Sequence, residues 1–267
     1  MSKGARVRQQ RVQAPQRRGG KRVKTPPPPG RAASRRNLYL GVIGAVVLLA
    51  VVLVGASILS SGSSSPKTVS IQSAGQTNKL LAGIHQGGIT LGNPKAPVTM
   101  QEFADIQCPG CDQYMRTAFP DIVRQYVRTG KVKVEWNGIA FVGPDSEKGL
   151  RYVDAAGQQN KLWNVAELLY RNQGSENSGW VTNDLLRSVG AAAPGLDVNK
   201  VERDANSSAV NRQMADAANA YTTYGFSQTP SFAIGPTGGT LVPFSPSAYS
   251  VDAFAPTFEK YLQQSKQ

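Results

Sequence analysis

The chain is 267 residues long with a formal net charge of +13, yet it has one histidine and two cysteines. So few ligating side chains exclude a four-ligand zinc site of the Cys/His type, and a lone histidine without a motif gives a Ser-His-Asp hydrolase no support. The charge is also concentrated: residues 1–36 hold twelve of the thirty Lys and Arg and no acidic residue, leaving eighteen basic against seventeen acidic residues for all the rest.

Residues 1–36, with TPPPPG at 25–30 and almost no large apolar side chains, cannot bury enough surface to offset the entropy of ordering. A disordered basic tail is predicted there, locally extended at the prolines. No aromatic residue or folded module accompanies the charge, so nucleic acid is not an expected partner. Anionic inner-leaflet lipids suit the tail better. Residues 37–60 read as a transmembrane helix. Positions 38–59 form 22 consecutive residues without a charge, and a helix crossing the hydrocarbon core needs roughly 20. The basic residues precede this span and none follows until Lys67, so the positive-inside rule puts the N-terminus in the cytoplasm and the bulk of the chain outside. A single-pass protein of the cell membrane is expected. The apolar run exceeds a signal-peptide core of about 7–15 residues, which favours a retained anchor; VGA at 54–56 keeps cleavage open as the alternative. Residues 61–83, rich in Ser, Gly, Thr and Gln, read as a flexible linker, and the folded domain is placed at 84–267.

Within that domain APVTMQEFAD (96–105) alternates as a strand, with Val98, Met100 and Glu102 on one face and Thr99, Gln101 and Phe103 on the other. Apolar residues then recur at helical spacing from Pro109 to Val127, with a kink expected at Pro120. KVKVEWNGIAF (131–141) is a second strand with Val132, Val134 and Trp136 on one face. Strand, helix and strand of these lengths make a βαβ unit, so the two strands should be parallel. A helical stretch over about 145–224 follows. PSFAIG and GTLVPF flank the turn PTGG as a β-hairpin, and residues 251–264 close the chain as an amphipathic helix.

Both cysteines lie in QCPGC, residues 107–111. A disulfide between Cys108 and Cys111 closes too short a loop to remove much unfolded-chain entropy, which argues against a staple. At a helix start, unpaired N–H groups and the dipole favour a thiolate at Cys108, and placement of this kind lowers a thiol pKa from about 8.5 to between ~3.5 and ~7.5. Pro109 at the first helical position forfeits no hydrogen bond. Cys111, one turn further in, is placed to attack a mixed disulfide formed on Cys108. Cys108 is thus the expected nucleophile and Cys111 the resolving thiol. His85 precedes the first strand and reads as a polar surface residue. Asn206-Ser207-Ser208 matches an N-glycosylation acceptor, a pattern common by chance.

EFADIQCPGC (102–111), AAGQQNKLWNVAELLY (155–170) and YGFSQTPSFAIG (224–235) together resemble the DsbA-like branch of the thioredoxin superfamily, from about Gly88 to the C-terminus. The resemblance implies a thioredoxin fold, α/β in class, with the helical stretch 145–224 as an insertion. It implies that Glu102 is the buried acid assisting proton transfer at Cys111. It also implies that Thr229 and Pro230 form a cis-proline loop offering backbone groups to an extended substrate. The implied activity is thiol–disulfide exchange without a cofactor or metal, most simply disulfide formation in exported cysteine-containing proteins. Such an oxidase would be recharged by a quinone-coupled membrane protein of the DsbB or vitamin-K-epoxide-reductase type. Strongly oxidising members carry histidine between the cysteines, where this chain has Gly110. An isomerase or reductase of the same fold, or a tethered binding domain with a structural disulfide, therefore stays open.

Overall fold

The computed structural model describes residues 67–266. The basic tail expected at 1–36, the transmembrane helix expected at 37–60 and the first part of the linker lie outside the described residues. Among the described residues no helix is long and apolar enough to cross a membrane.

The flexible linker expected to reach residue 83 ends earlier. Ala74–Leu81 form a helix, α1, in which Thr77 and Leu81 are buried. Upstream of it Val69 N donates to Ser188 Oγ at 2.9 Å and Gln72 N to Asn172 Oδ1 at 2.8 Å. The sparse apolar residues Val69, Ile71 and Leu80 pack against the core, so a polar composition conceals an ordered segment.

The central sheet has six strands in the order β1-β2-β4-β3-β5-β6. β3 (Val98–Ala104) lies between β4 (Val132–Gly138) and β5 (Ser231–Pro236). As the βαβ reading requires, β3 and β4 are parallel, in register from Val98↔Val132 to Ala104↔Gly138. β5 pairs antiparallel with β3 and with β6 (Val242–Phe244), giving the expected hairpin. The short strands β1 (Gln86–Gly87) and β2 (Thr90–Leu91) extend the other edge. β4 stops at Gly138 rather than reaching Phe141, whose side chain is exposed.

Between β3 and β4 the chain forms α2 (Pro109–Arg116) and α3 (Ala118–Ile122), which runs on into a π-helical turn at Val123–Val127. The break falls at Thr117, not at Pro120. A proline ring clashes with the carbonyl four residues back; that residue is Arg116, the last of α2. The insertion contains α4 (Pro144–Gly157), α5 (Leu162–Arg171), α6 (Asn183–Ala192), α7 (Val198–Asp204) and α8 (Ser208–Thr223). α9 (Val251–Gln264) packs Phe254, Phe258 and Leu262 inward. α5 is buried along its whole length from Leu162 to Tyr170 and lies against α2, which brings the insertion directly behind the cysteine helix.

Candidate active site

The dithiol sits where the central strand ends. β3 passes through Asp105, Ile106 and Gln107 into α2, and Cys108 is the N-cap residue of that helix with Pro109 at its first position. Asp105 fixes this approach. Its carboxylate accepts from Gln107 N at 2.8 Å and from Ser146 Oγ, Phe141 N and Val142 N at 2.7 Å each. Its carbonyl accepts from Cys108 N at 3.0 Å and from Tyr170 Oη at 3.1 Å. Gln173 Nε2 donates to the carbonyls of Ile106 and Cys108 at 2.8 and 3.2 Å.

The two cysteines are free thiols in unlike surroundings. Cys108 keeps 8% exposure and Cys111 none. Cys108 Sγ accepts from Cys111 N at 3.4 Å and donates to Thr229 O at 3.1 Å. Hydrogen bonding from the Cys111 thiol, against the opposing pull of burial, brings the Cys108 pKa down to about 6; Thr229 and the N–H groups of Cys111 and Gly110 add to the lowering. Burial pushes Cys111 well above the ordinary thiol value, and its hydrogen bond to Cys108 and the Cys108 charge push it further. These shifts favour a thiolate on the outer sulfur and a thiol on the inner one, with the Cys111 thiol rather than the helix start as the first cause of the lowering at Cys108.

Glu102, on the face of β3 that carries Val98 and Met100, has no exposure and neither carboxylate oxygen makes a hydrogen bond. Burial, reinforced by the charge of Glu167, raises its pKa to about 8, so the acid is protonated at neutrality. No hydrogen bond joins it to Cys111. Burial first, and then the charges of Glu102 and Cys111, push the Tyr114 and Tyr170 hydroxyls well above the ordinary phenol value.

The Thr229–Pro230 peptide is cis, and this loop covers Cys108. A Cβ placed on Gly110 would lie 3.3 Å from Pro230 Cδ, 3.6 Å from Tyr249 Oη and 3.7 Å from Cys108 Sγ. Beside the loop runs a groove of about 640 Å³ whose walls include Gln113, Phe226, Pro230, Phe244 and Tyr249. The structure thus brings Cys108, Cys111, Thr229 and Pro230 together, with Glu102 buried on the strand that leads into the cysteine helix, while His85 is exposed elsewhere. Asp105, Tyr114, Tyr170, Gln173 and Tyr249 were not legible as site residues. Asp105 and Tyr114 flank the cysteines, Tyr170 and Gln173 come from the end of α5, and Tyr249 from the segment before α9, with no residue pattern to mark them.

Residues 85–238 match the family model described as Thioredoxin. A Bacillus cereus protein named "Probable disulfide bond formation protein D" is 32% identical over 129 residues, 47% of this chain and 60% of that protein. The Bacillus subtilis "Disulfide bond formation protein D" is 32% identical over 107 residues, 38% of this chain and 46% of that protein. The match spans about half the length of these curated relatives. Among solved structures, oxidised BdbD from Bacillus subtilis superposes with a TM-score of 0.57 at 21% identity, covering 67% of this chain and 98% of that one. Wolbachia pipientis alpha-DsbA1 gives a TM-score of 0.58 at 20% identity, over 71% of this chain and 98% of that one. At these identities the likeness concerns the fold, a thioredoxin sheet with a helical insertion.

Proposed function

The chain belongs to the thioredoxin family, and from that membership and its asymmetric dithiol we propose that it is a thiol–disulfide oxidoreductase forming disulfides in exported proteins. The observation that carries this reading is the split between the two thiols, Cys108 near 6 and Cys111 far above the ordinary value. A thiolate stabilised in the reduced protein favours handing the disulfide on, because the more stable the reduced form, the stronger the oxidant. The names of the Bacillus relatives support the same direction.

In the oxidised protein a substrate thiolate attacks Cys108 Sγ. The Cys108–Cys111 bond breaks, and its electron pair goes to Cys111 Sγ. That sulfur is buried and a poor anion, so it takes a proton, for which protonated Glu102 is the donor. A second substrate thiolate then attacks the substrate's own sulfur and expels Cys108 as a thiolate. Two electrons thereby move from substrate to protein, and a membrane partner of the DsbB or vitamin-K-epoxide-reductase type removes them. The groove beside Pro230 and the Thr229–Pro230 backbone take an extended cysteine-containing polypeptide.

The uncharged run at 38–59 and the basic tail before it support a single-pass anchor with the N-terminus in the cytoplasm and the thioredoxin domain outside, where disulfides persist. The tail is assigned to anionic inner-leaflet lipids. Trapping decides the activity. Cys111→Ser should accumulate mixed disulfides with exported proteins through Cys108, and Cys108→Ser should accumulate none. Trapping through Cys111 instead, or no trapping by either variant, would overturn the reading.

A further inference from the structure

The groove of about 640 Å³ beside Pro230 has no charged side chain in its walls. The other large groove, of about 920 Å³, is walled in part by Lys79, Arg116, Arg124, Arg128 and Arg171. Asp, Glu, Lys and Arg make up 18% of the chain, so a neutral channel alongside the cis-proline loop limits what can lie there. An ionised side chain entering it gives up hydration and meets no counter-charge. A backbone with neutral side chains meets serine hydroxyls, glutamine amides and aromatic rings instead.

Tyr249 joins this groove to the cysteine loop. It lies just before Ser250, the N-cap of α9, and is fastened to the cysteine helix at two points. Its carbonyl accepts from Oγ1 of Thr117, the C-cap of α2, at 2.8 Å. Its ring meets the fully buried Tyr114 edge-on, with centroids 6.1 Å apart. The hydroxyl so placed stands 3.6 Å from the point a Cβ on Gly110 would occupy, and Cys108 Sγ lies 3.7 Å from that same point. Pro230 Cδ comes within 3.3 Å of it, so a side chain at position 110 would be crowded and glycine leaves the approach to Tyr249. Among the described residues the Tyr249 hydroxyl has no hydrogen-bond partner. Burial, and then the charges of Cys111 and Cys108, raise it above the ordinary phenol value, so at neutrality it keeps a proton to donate.

We propose that Tyr249 is a substrate-positioning residue, its hydroxyl donating to a backbone carbonyl of the polypeptide beside the reacting cysteine, and that the uncharged groove selects neutral flanking residues over charged ones of either sign. The proposal deepens the oxidoreductase reading and rests on it. A donor already fixed to α2 through Thr117 and Tyr114 loses little freedom when the substrate arrives, so its hydrogen bond goes into holding the polypeptide in place. Backbone recognition ignores sequence. The groove walls then supply the selectivity, by leaving an entering charge without a partner.

The test follows single turnovers of the full chain, oxidised, with excess reduced synthetic peptide carrying two cysteines flanked by Ser, Ala and Gln. The peptide gives up two electrons and closes its own disulfide, so no further oxidant enters. Tyr249→Phe keeps the ring against Tyr114 and removes only the hydroxyl. It should raise the half-saturating peptide concentration about fivefold, the size of one neutral hydrogen bond, with little change in the limiting rate. Dithiothreitol is too small to fill the groove, so the ratio of peptide to dithiothreitol rates should drop. The Cys108 thiolate absorbance should titrate at the same pH in both proteins, since Cys111 and Thr229 supply its side-chain hydrogen bonds. With the parent protein, Lys or Glu in place of the neutral flanks should raise the half-saturating concentration several-fold. An equal loss with peptide and dithiothreitol, a shifted thiolate titration, or no loss at all would overturn the role of Tyr249. Equal handling of neutral and charged peptides would overturn the selectivity. A parent protein that oxidises none of the peptides would instead sink the oxidoreductase reading itself.

Discussion

Glu102 is held where it costs the fold energy. An ordinary glutamate gives up its proton at about 4.5; here it keeps it to about 8. Between those values the native chain binds a proton that the unfolded chain has lost, so stability falls as pH rises through that window and is undiminished below it. Glu102→Gln keeps the shape and removes the penalty. Unfolding in urea should show the variant more stable by about 3 kcal/mol at pH 7, with the gain vanishing near pH 4. On the proposed mechanism, in which Glu102 is the proton donor to Cys111, thiol–disulfide exchange by the same variant should be slower at neutrality. A variant less stable than the parent at pH 7 would mean that the carboxyl is ionised and paired. Stability surrendered at one residue for exchange chemistry is the expected mark of a functional group.

At the scale of elements, the α2 start is held by a loop that Asp105 organises. Its buried carboxylate accepts from four donors drawn from the cysteine loop, the loop that follows β4, and α4. Asp105→Ala leaves those donors without an acceptor, at about 1–3 kcal/mol for each that stays buried. Chemical denaturation should register a loss on the order of 4 kcal/mol, and Cys108 should become more accessible to alkylating reagents as its loop loosens. A loss below about 1 kcal/mol would show that solvent replaces the carboxylate. None of this was legible in the sequence, because Ser146, Phe141 and Val142 lie 36 to 41 residues from Asp105. What could be read was local. β3 and β4 announced themselves by alternation, the helix start by C-P-G-C, and the inward face of Glu102 by its period-two neighbours Val98 and Met100. Two-residue strands such as β1 and β2 have no period to detect. α1 escaped notice because its few apolar residues are scattered in a Ser- and Gln-rich stretch.

For the molecule as a whole, the redox state and the pH dependence of folding are one problem. Glu102 and Asp154, whose pKa burial raises to about 8, lower stability with rising pH in the reduced and oxidised proteins alike, so their effects cancel in the difference between the two. Cys108 does not cancel, because only the reduced protein has its thiol. With the folded value near 6 and the ordinary one at 9.0, the unfolded chain retains a proton that the native state has shed throughout that window. Stability of the reduced form therefore rises relative to the oxidised form from about pH 6 to about pH 9, by up to ~1.4 kcal/mol per pH unit. Cys111 acts in the opposite sense, but only above the ordinary thiol range, where the unfolded chain begins to lose protons that the buried thiol keeps. Through the thermodynamic cycle the same difference sets the potential, with about 30 mV for each 1.4 kcal/mol. Guanidinium unfolding of both redox forms at intervals from pH 5 to pH 9, numbers set by the ordinary titration ranges, should give two curves that run together at the acid end. They should separate above pH 6, with the reduced protein the more stable. A gap that stays constant across the range, or one that favours the oxidised form more as pH rises, would mean that Cys108 is not a stabilised thiolate. The proposed donation of the disulfide would then lack the driving force assigned to α2 and the Thr229–Pro230 loop.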